Sequence, residues 1–171
     1  MSRLNDIFNW ATVKHGDQKY GDGPYSDHLR HVYFALEGFG ITDEDILIAG
    51  ICHDLLEDTT LTYNDLKEAI GVNAADIVYD VTNELGKNRK ERALKTYPKI
   101  AANPKAIMVK IADRIANTTF SKDSGSSMYD KYCREFPDFK SHLYTGASLE
   151  AFPVLKEMWS HLENISHRGV A

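Results

Sequence analysis

Gly50-Ile51-Cys52-His53-Asp54-Leu55-Leu56-Glu57-Asp58-Thr59 is the stretch around which the chain is organised. The run is apolar from Ile46 onward until four polar or ionisable groups interrupt it. At about 100° per residue, His53, Asp54, Glu57 and Asp58 share one sector of a helix, and Cys52, Leu55 and Leu56 take the opposite one. A helix that is apolar over most of its girth belongs in an interior. Three carboxylates and an imidazole on one side of it are costly unless something positive compensates them. A divalent cation is the simplest candidate.

The 171 residues suit one domain, residues 1–171, with 43% hydrophobic and 26% charged residues in the ordinary globular range. The net charge of −5 argues against non-specific nucleic-acid binding and against a membrane-surface role. No apolar run reaches the roughly 20 residues of a membrane helix, and the N-terminus has no signal-peptide pattern, so a cytoplasmic location is expected. Cys52 and Cys133 form no C-x-x-C pair. Cys52 reads as a small buried apolar side chain, with a thiolate ligand beside His53 as the alternative.

The periodicity predicts an all-α bundle of about eight helices joined by short loops. Residues 2–15 form an amphipathic helix, and 15–24 form a loop rich in glycine. Pro24 opens a second helix to about Phe39. Thr42 with Asp45 makes a capping box for a third, to about Leu56, and Thr62 with Asp65 repeats it for 62–70. Helices follow over 73–85, 89–102 with Pro98 inside, and 104 to 118 or 119. A polar loop spans 121–127, two last helices span 128–144 and 148–165, and the final few residues fray. No strand is expected.

His28 lies inside the apolar arc of the second helix and His31 at its edge. Alone, His28 reads as well as a core histidine bonded to a carbonyl. In the 104–119 helix Lys110, Asp113 and Asn117 share one stripe, which fits either a Lys110–Asp113 ion pair or a ligand role for Asp113. Taken together, His28, His53, Asp54 and Asp113 offer two imidazoles and two carboxylates from three helices, each on an inward face. Such mixed ligation suits Mn, Fe, Co or Zn better than Mg or Ca. The lack of cysteine ligands argues against a structural zinc.

The pattern His28…His53-Asp54…Asp113 resembles the HD superfamily of metal-dependent phosphohydrolases. His53-Asp54-Leu55-Leu56-Glu57-Asp58-Thr59 is similar to the H-D-x-x-E-D-T box of RelA/SpoT-type hydrolase domains, including the small alarmone hydrolases. His15…Gln18 resembles the family's H-x-x-Q, Pro24-Tyr25…His28 its P-Y-x-x-H, and Val81-Thr82 its V-T segment. Lys110 to Asn117 resembles K-x-A-D-R-x-x-N. The likeness covers about residues 11–120, with helices 128–166 expected to pack on that core.

The resemblance implies an HD-domain bundle and hydrolysis of a phosphorylated nucleotide. The substrate expected is guanosine-3′,5′-bis(diphosphate), ppGpp, losing its 3′-pyrophosphate. It makes His28, His53, Asp54 and Asp113 ligands of one ion, Mn2+ by family habit with Zn2+, Co2+ or Fe2+ as alternatives, and Glu57 and Asp58 the catalytic acidic pair. Lys19, Tyr20, Lys87, Arg89, Lys90, Arg92, Arg114 and Asn117 are the expected substrate-binding residues. One departure bears on specificity: where the family carries a basic pair after H-x-x-Q, this chain has Lys19-Tyr20. Other readings are another phosphorylated nucleotide such as a dNTP or NADPH, or a nucleotide sensor without turnover. The expected partner is a small nucleotide, with neither nucleic acid nor membrane, and self-association into a homo-oligomer is compatible with the sequence. Tyr129 and Tyr132 read either as half-buried packing residues or as side chains that close over the site.

Overall fold

The computed structural model describes residues 2–167 and begins with α1 (Arg3–His15). Gly16 closes this helix with its amide on the Thr12 and Val13 carbonyls. The next turn is a short antiparallel ribbon, β1 (Lys19–Tyr20) against β2 (Gly23–Pro24), where no strand was expected. Gly21 makes the reversal: its φ is +59°, and a Cβ there would stand 2.6 Å from the ring of Phe120. Tyr25 N is still bonded across to Gln18 O, so α2 (Ser26–Gly38) starts at Ser26 rather than at Pro24.

Asp43, not Thr42, caps α3 (Glu44–Cys52), its carboxylate accepting from Asp45 N and Ile46 N while Lys105 holds its other oxygen at 2.6 Å. A charged acceptor at a helix N-terminus outcompetes a neutral hydroxyl. α3 stops at Cys52 instead of running on to Leu56, and α4 (Leu55–Asp58) follows after a two-residue turn. The Thr62 capping box is present on α5 (Tyr63–Ile70), followed by α6 (Val72–Val81). α6 ends four residues before Leu85, which is left exposed. Lys99 takes the Thr82 carbonyl and Thr96 takes the Glu84 amide, so these groups bond to α7 (Arg89–Ala102) rather than to another turn.

α8 (Pro104–Asp123) is the longest helix, with Pro104 in its first turn, where no amide is needed. It extends past Thr119 because Ser121, read as loop, is buried. Gly125, at φ +67°, follows its end. α9 (Met128–Leu143) follows, and Pro153 splits the expected 148–165 helix into α10 (Gly146–Ala151) and α11 (Val154–Ser166). There are thus eleven helical segments among the described residues, more than the eight expected, with helices as the framework throughout. The expected fraying falls on residues beyond 167, outside those described.

α8 packs on α2, α3, α6, α7, α9 and α11 around one apolar cluster that includes Leu29, Ile48, Ile107, Ile111, Phe139 and Trp159. Being surrounded, it carries Asp113, Arg114, Thr118 and Ser121 into the interior. No helix among the described residues is long and apolar enough to cross a membrane.

Candidate metal centre

The break between α3 and α4 builds the site. Adjacent residues on an unbroken helix diverge by about 100°. Here Asp54 adopts φ −97°, ψ −2°, outside regular helix, and its carboxylate swings beside the preceding imidazole. His53 Nε2 and Asp54 Oδ2 are 2.8 Å apart. His53 Nδ1 donates to the Gly50 carbonyl at 2.9 Å, which assigns its proton and turns the Nε2 lone pair inward.

From α2, His28 brings its Nε2 to 3.2 Å from His53 Nε2 and 3.6 Å from Asp54 Oδ2. From α8, Asp113 Oδ1 lies 3.4 Å from His28 Nε2 and 3.6 Å from His53 Nε2. Both histidines are 2% exposed and Asp113 9%, so little water compensates them. Atoms bonded to one ion at roughly 2.0–2.2 Å lie about 3 Å from one another; His28, His53 and Asp113 approach that spacing mutually, at 3.2–3.6 Å, and Asp54 does so toward the two histidines. Two nitrogens and two oxygens converge without sulfur, and the set fits a divalent transition metal. Cys52 is fully buried, and burial pushes its thiol pKa up, as for a small apolar side chain.

The electrostatics ask for a cation. Burial alone would keep His53 neutral, but Asp54 and Asp113 outweigh it and raise its pKa well above the ordinary value. Burial is likewise overcome at Asp113, held far below the carboxylate range by Lys110 and the two histidines. The Lys110–Asp113 pair is real, at 3.2 Å through Oδ2, and leaves Oδ1 facing the histidines. The two readings of Asp113 are therefore compatible. Asn117 donates to Oδ1 from one turn on and accepts from the Tyr20 hydroxyl at 3.1 Å. Tyr20 lies over His28 and against Phe120, with ring centroids at 4.8 and 4.2 Å.

Several contributors were not singled out by their residue type. Tyr25 donates its hydroxyl to Asp54 Oδ2 and packs its ring on His15. His15 Nδ1 meets Gln18 Oε1 at 2.8 Å, and Gln18 Nε2 donates to Asp58 Oδ2 at 2.7 Å. Glu57 accepts from Asn83 twice, from the backbone amide at 2.7 Å and from Nδ2 at 3.0 Å. Glu57 and Asp58 were expected; of their partners and of Tyr25, only the motif likeness around His15 and Tyr25 gave a hint.

Beside the cluster lies a cavity of about 390 Å3, within the range of small-molecule sites. Arg89, Lys90, Arg92, Lys110, Arg114 and Arg134 line it, against the acids Glu135 and Asp138. Lys110 and Asn83 join its wall to Asp113 and Glu57. Of the expected substrate-binding residues, Arg89, Lys90, Arg92 and Arg114 meet here. Tyr20 and Asn117 sit on the histidine side of the cluster. Lys19 and Lys87 are exposed and line no part of the cavity. Tyr132 stands beneath the guanidinium groups of Arg114 and Arg89, at 4.9 and 5.7 Å, whereas Tyr129 turns away and donates to the Ile165 carbonyl.

The HD domain family model matches residues 8–139, a span that holds every residue of the cluster. The chain belongs to the HD domain family. Among similar proteins, a guanosine-3′,5′-bis(diphosphate) 3′-pyrophosphohydrolase of Aquifex aeolicus is 37% identical over 120 residues, covering 67% of this chain and 17% of that protein. Enzymes of the same name from Danio rerio and Drosophila melanogaster are 33% and 28% identical, over 66% and 68% of their lengths and 67% and 68% of this chain. The chain thus spans about a sixth of the Aquifex protein and about two thirds of the animal ones. Among solved structures, a metazoan orthologue of SpoT that hydrolyses ppGpp superposes with a TM-score of 0.71 over 97% of this chain and 92% of that one, at 22% identity. A Listeria monocytogenes protein superposes with a TM-score of 0.66, at 24% identity, over 82% of this chain and 99% of its own. These two establish the fold.

Proposed function

We propose that this HD domain is a metal-dependent nucleotide pyrophosphohydrolase that removes the 3′-pyrophosphate of ppGpp. One observation carries the reading: three metal-type donors, from His28, His53 and Asp113, converge with Asp54 beside the two histidines, and Lys110 links Asp113 to a cavity whose cations outnumber its acids. A cavity lined by guanidinium groups, joined through Lys110 to a site that would hold a divalent ion, suits a pyrophosphate. The names of the similar enzymes favour ppGpp among such substrates.

His28, His53, Asp54 and Asp113 would hold the ion, with Mn2+ the expected occupant. When bound, such an ion lowers the pKa of water and neutralises phosphoryl charge. Asp58 is the proton acceptor: Gln18 holds its Oδ2, and its Oδ1 has no hydrogen-bond partner among the described residues. Glu57, with both oxygens engaged by Asn83, is the group that fixes α4 against the cavity wall. The oxygen of water adds to the 3′-linked phosphorus, the bond to the 3′ oxygen breaks, and the proton taken by Asp58 is returned to the leaving oxygen. Arg89, Arg114 and Lys110 face the charge on the phosphates.

Elemental analysis with a hydrolysis screen over ppGpp, NADPH and dNTPs tests this. Bound metal with release of pyrophosphate from ppGpp is expected, and Asp54→Ala should lose both metal and turnover while keeping its helical circular dichroism. A protein without metal, or turnover retained in that variant, would refute the assignment. Metal without turnover of any nucleotide would make the chain a sensor.

A further inference from the structure

Glu135 is out of place by charge. It projects from α9 into a cavity wall made of cations, and its carboxylate accepts from Arg89 Nε at 2.9 Å, Arg89 Nη2 at 3.0 Å and Arg114 Nη1 at 3.0 Å. Arg89 opens α7 and Arg114 lies in the middle of α8, so one acid joins three helices. The paired N–H groups of a guanidinium meet a carboxylate in the geometry they use for two oxygens of a phosphate. The Tyr132 ring lies within reach of both guanidinium carbons and backs the pair. Next to it, Lys90 and Arg92 line the same cavity and form no ion pair among the described residues.

We propose that Glu135 is a built-in counter-ion occupying a phosphate seat between Arg89 and Arg114, which the pyrophosphate group of a substrate must displace. Without an anion there, the two guanidinium groups would repel each other in a partly buried wall, Arg114 being only 11% exposed. Glu135 keeps them aligned while the cavity is empty. It is itself 29% exposed on a helix face, so a rotamer change can release it to solvent. An anion with two or more charges and several oxygens replaces a single carboxylate, whereas a neutral ligand gains nothing by doing so. The seat therefore selects for polyphosphates. The displaced contact weakens binding of every anion and raises the substrate concentration at which the site fills.

This inference rests on the reading of the cavity as the place of the substrate's phosphates, and its test is separable from turnover. Inorganic pyrophosphate is titrated calorimetrically into the full chain as purified, as wild type and as Glu135→Gln. The amide keeps the size and an acceptor but removes the charge. Glu135→Gln should bind pyrophosphate about fivefold tighter, the upper range for one partly screened ion pair, and Arg89→Gln in addition should abolish the gain. The KM for ppGpp should fall with the dissociation constant, the change residing in KM rather than kcat. If Glu135 were only a strut between helices, Glu135→Gln would bind pyrophosphate no better and melt lower. Equal or weaker binding, or no binding by either protein, overturns the proposal. Tighter binding by Glu135→Gln in a chain that hydrolyses no ppGpp would overturn the proposed function and leave this inference standing.

Discussion

Tyr25 donates its hydroxyl to the same oxygen of Asp54, Oδ2, that lies 2.8 Å from His53 Nε2. The phenol thus fixes the rotation of a carboxylate that the α3–α4 turn has already brought inward. Burial and the neighbouring acids raise the Tyr25 pKa, so it remains a donor. Tyr25→Phe keeps the ring against His15 and removes only that bond. Metal affinity, measured by titration of Mn2+, should fall roughly 10- to 100-fold, as when other groups that orient a ligand are lost. Unchanged affinity would mean that the turn alone sets the carboxylate.

Gln18 gives a second prediction, this time about rate. Its amide is oriented by His15 and donates to Asp58, but it is not itself part of the cluster. Gln18→Leu should keep the metal and lower kcat roughly 10- to 100-fold, the scale of a misplaced catalytic group. Asp58→Ala should also keep the metal and lose more, about 10²- to 10⁴-fold. Loss of metal in either variant would contradict the division between holding the ion and managing the water.

Gly21→Ala should act through both backbone and packing. The positive φ costs a non-glycine residue about 1–2 kcal/mol. The new methyl also meets Phe120, the ring on which Tyr20 rests. Urea denaturation should report at least that loss. Displacement of Tyr20 should appear as a change in near-ultraviolet circular dichroism. A fully stable variant would show that the ribbon shifts freely.

The Asp43 cap makes stability depend on pH with a defined sign. Partial burial works against its charge, yet Lys105 and two backbone amides outweigh it and hold the carboxyl below its ordinary 3.8. A pKa lowered by folding contributes stability above the unfolded value, and that contribution is lost as pH falls through the folded one. Asp43→Asn retains a capping oxygen but loses the ion pair with Lys105. Its melting temperature should lie below wild type near neutrality, and the gap should close in acid, as pH falls below the ordinary carboxyl value of 3.8. A gap that persists in acid would locate the effect in cap geometry rather than in charge.

How far the site could be read from the sequence depends on the range of the signal. That His28, His53 and Asp113 would meet could be expected only from the set and its family resemblance, since His28 alone reads as a core histidine and Asp113 alone as the partner of Lys110. The break between Cys52 and Leu55 was not legible, since both flanking segments have helical periodicity and only tertiary packing separates them. Pro153 did carry a local stop signal, masked by the apolar repeat on either side. The partners of Arg89 and Arg114 lie 46 and 21 residues away at Glu135, and no spacing rule links them. The same holds for Glu57 and Asn83. Charge runs reveal that a basic face exists, but which acid neutralises it is decided in three dimensions.

The bond from His53 Nδ1 to the Gly50 carbonyl occupies one of the acceptors left unpaired at the end of α3. One proton therefore finishes a helix and aims an imidazole. Gly50 is confined from the other side as well, since a Cβ there would stand 2.5 Å from Leu36 Cδ1 on α2. Mutational tolerance at this corner is consequently shared: a change that loosens the end of α3 also detunes ligand direction, and a change of ligand frays the helix. Attempts to retune the centre for another ion are better directed at Asp113 and its partners Lys110 and Asn117, which lie in the middle of α8, where the backbone hydrogen bonds do not depend on them.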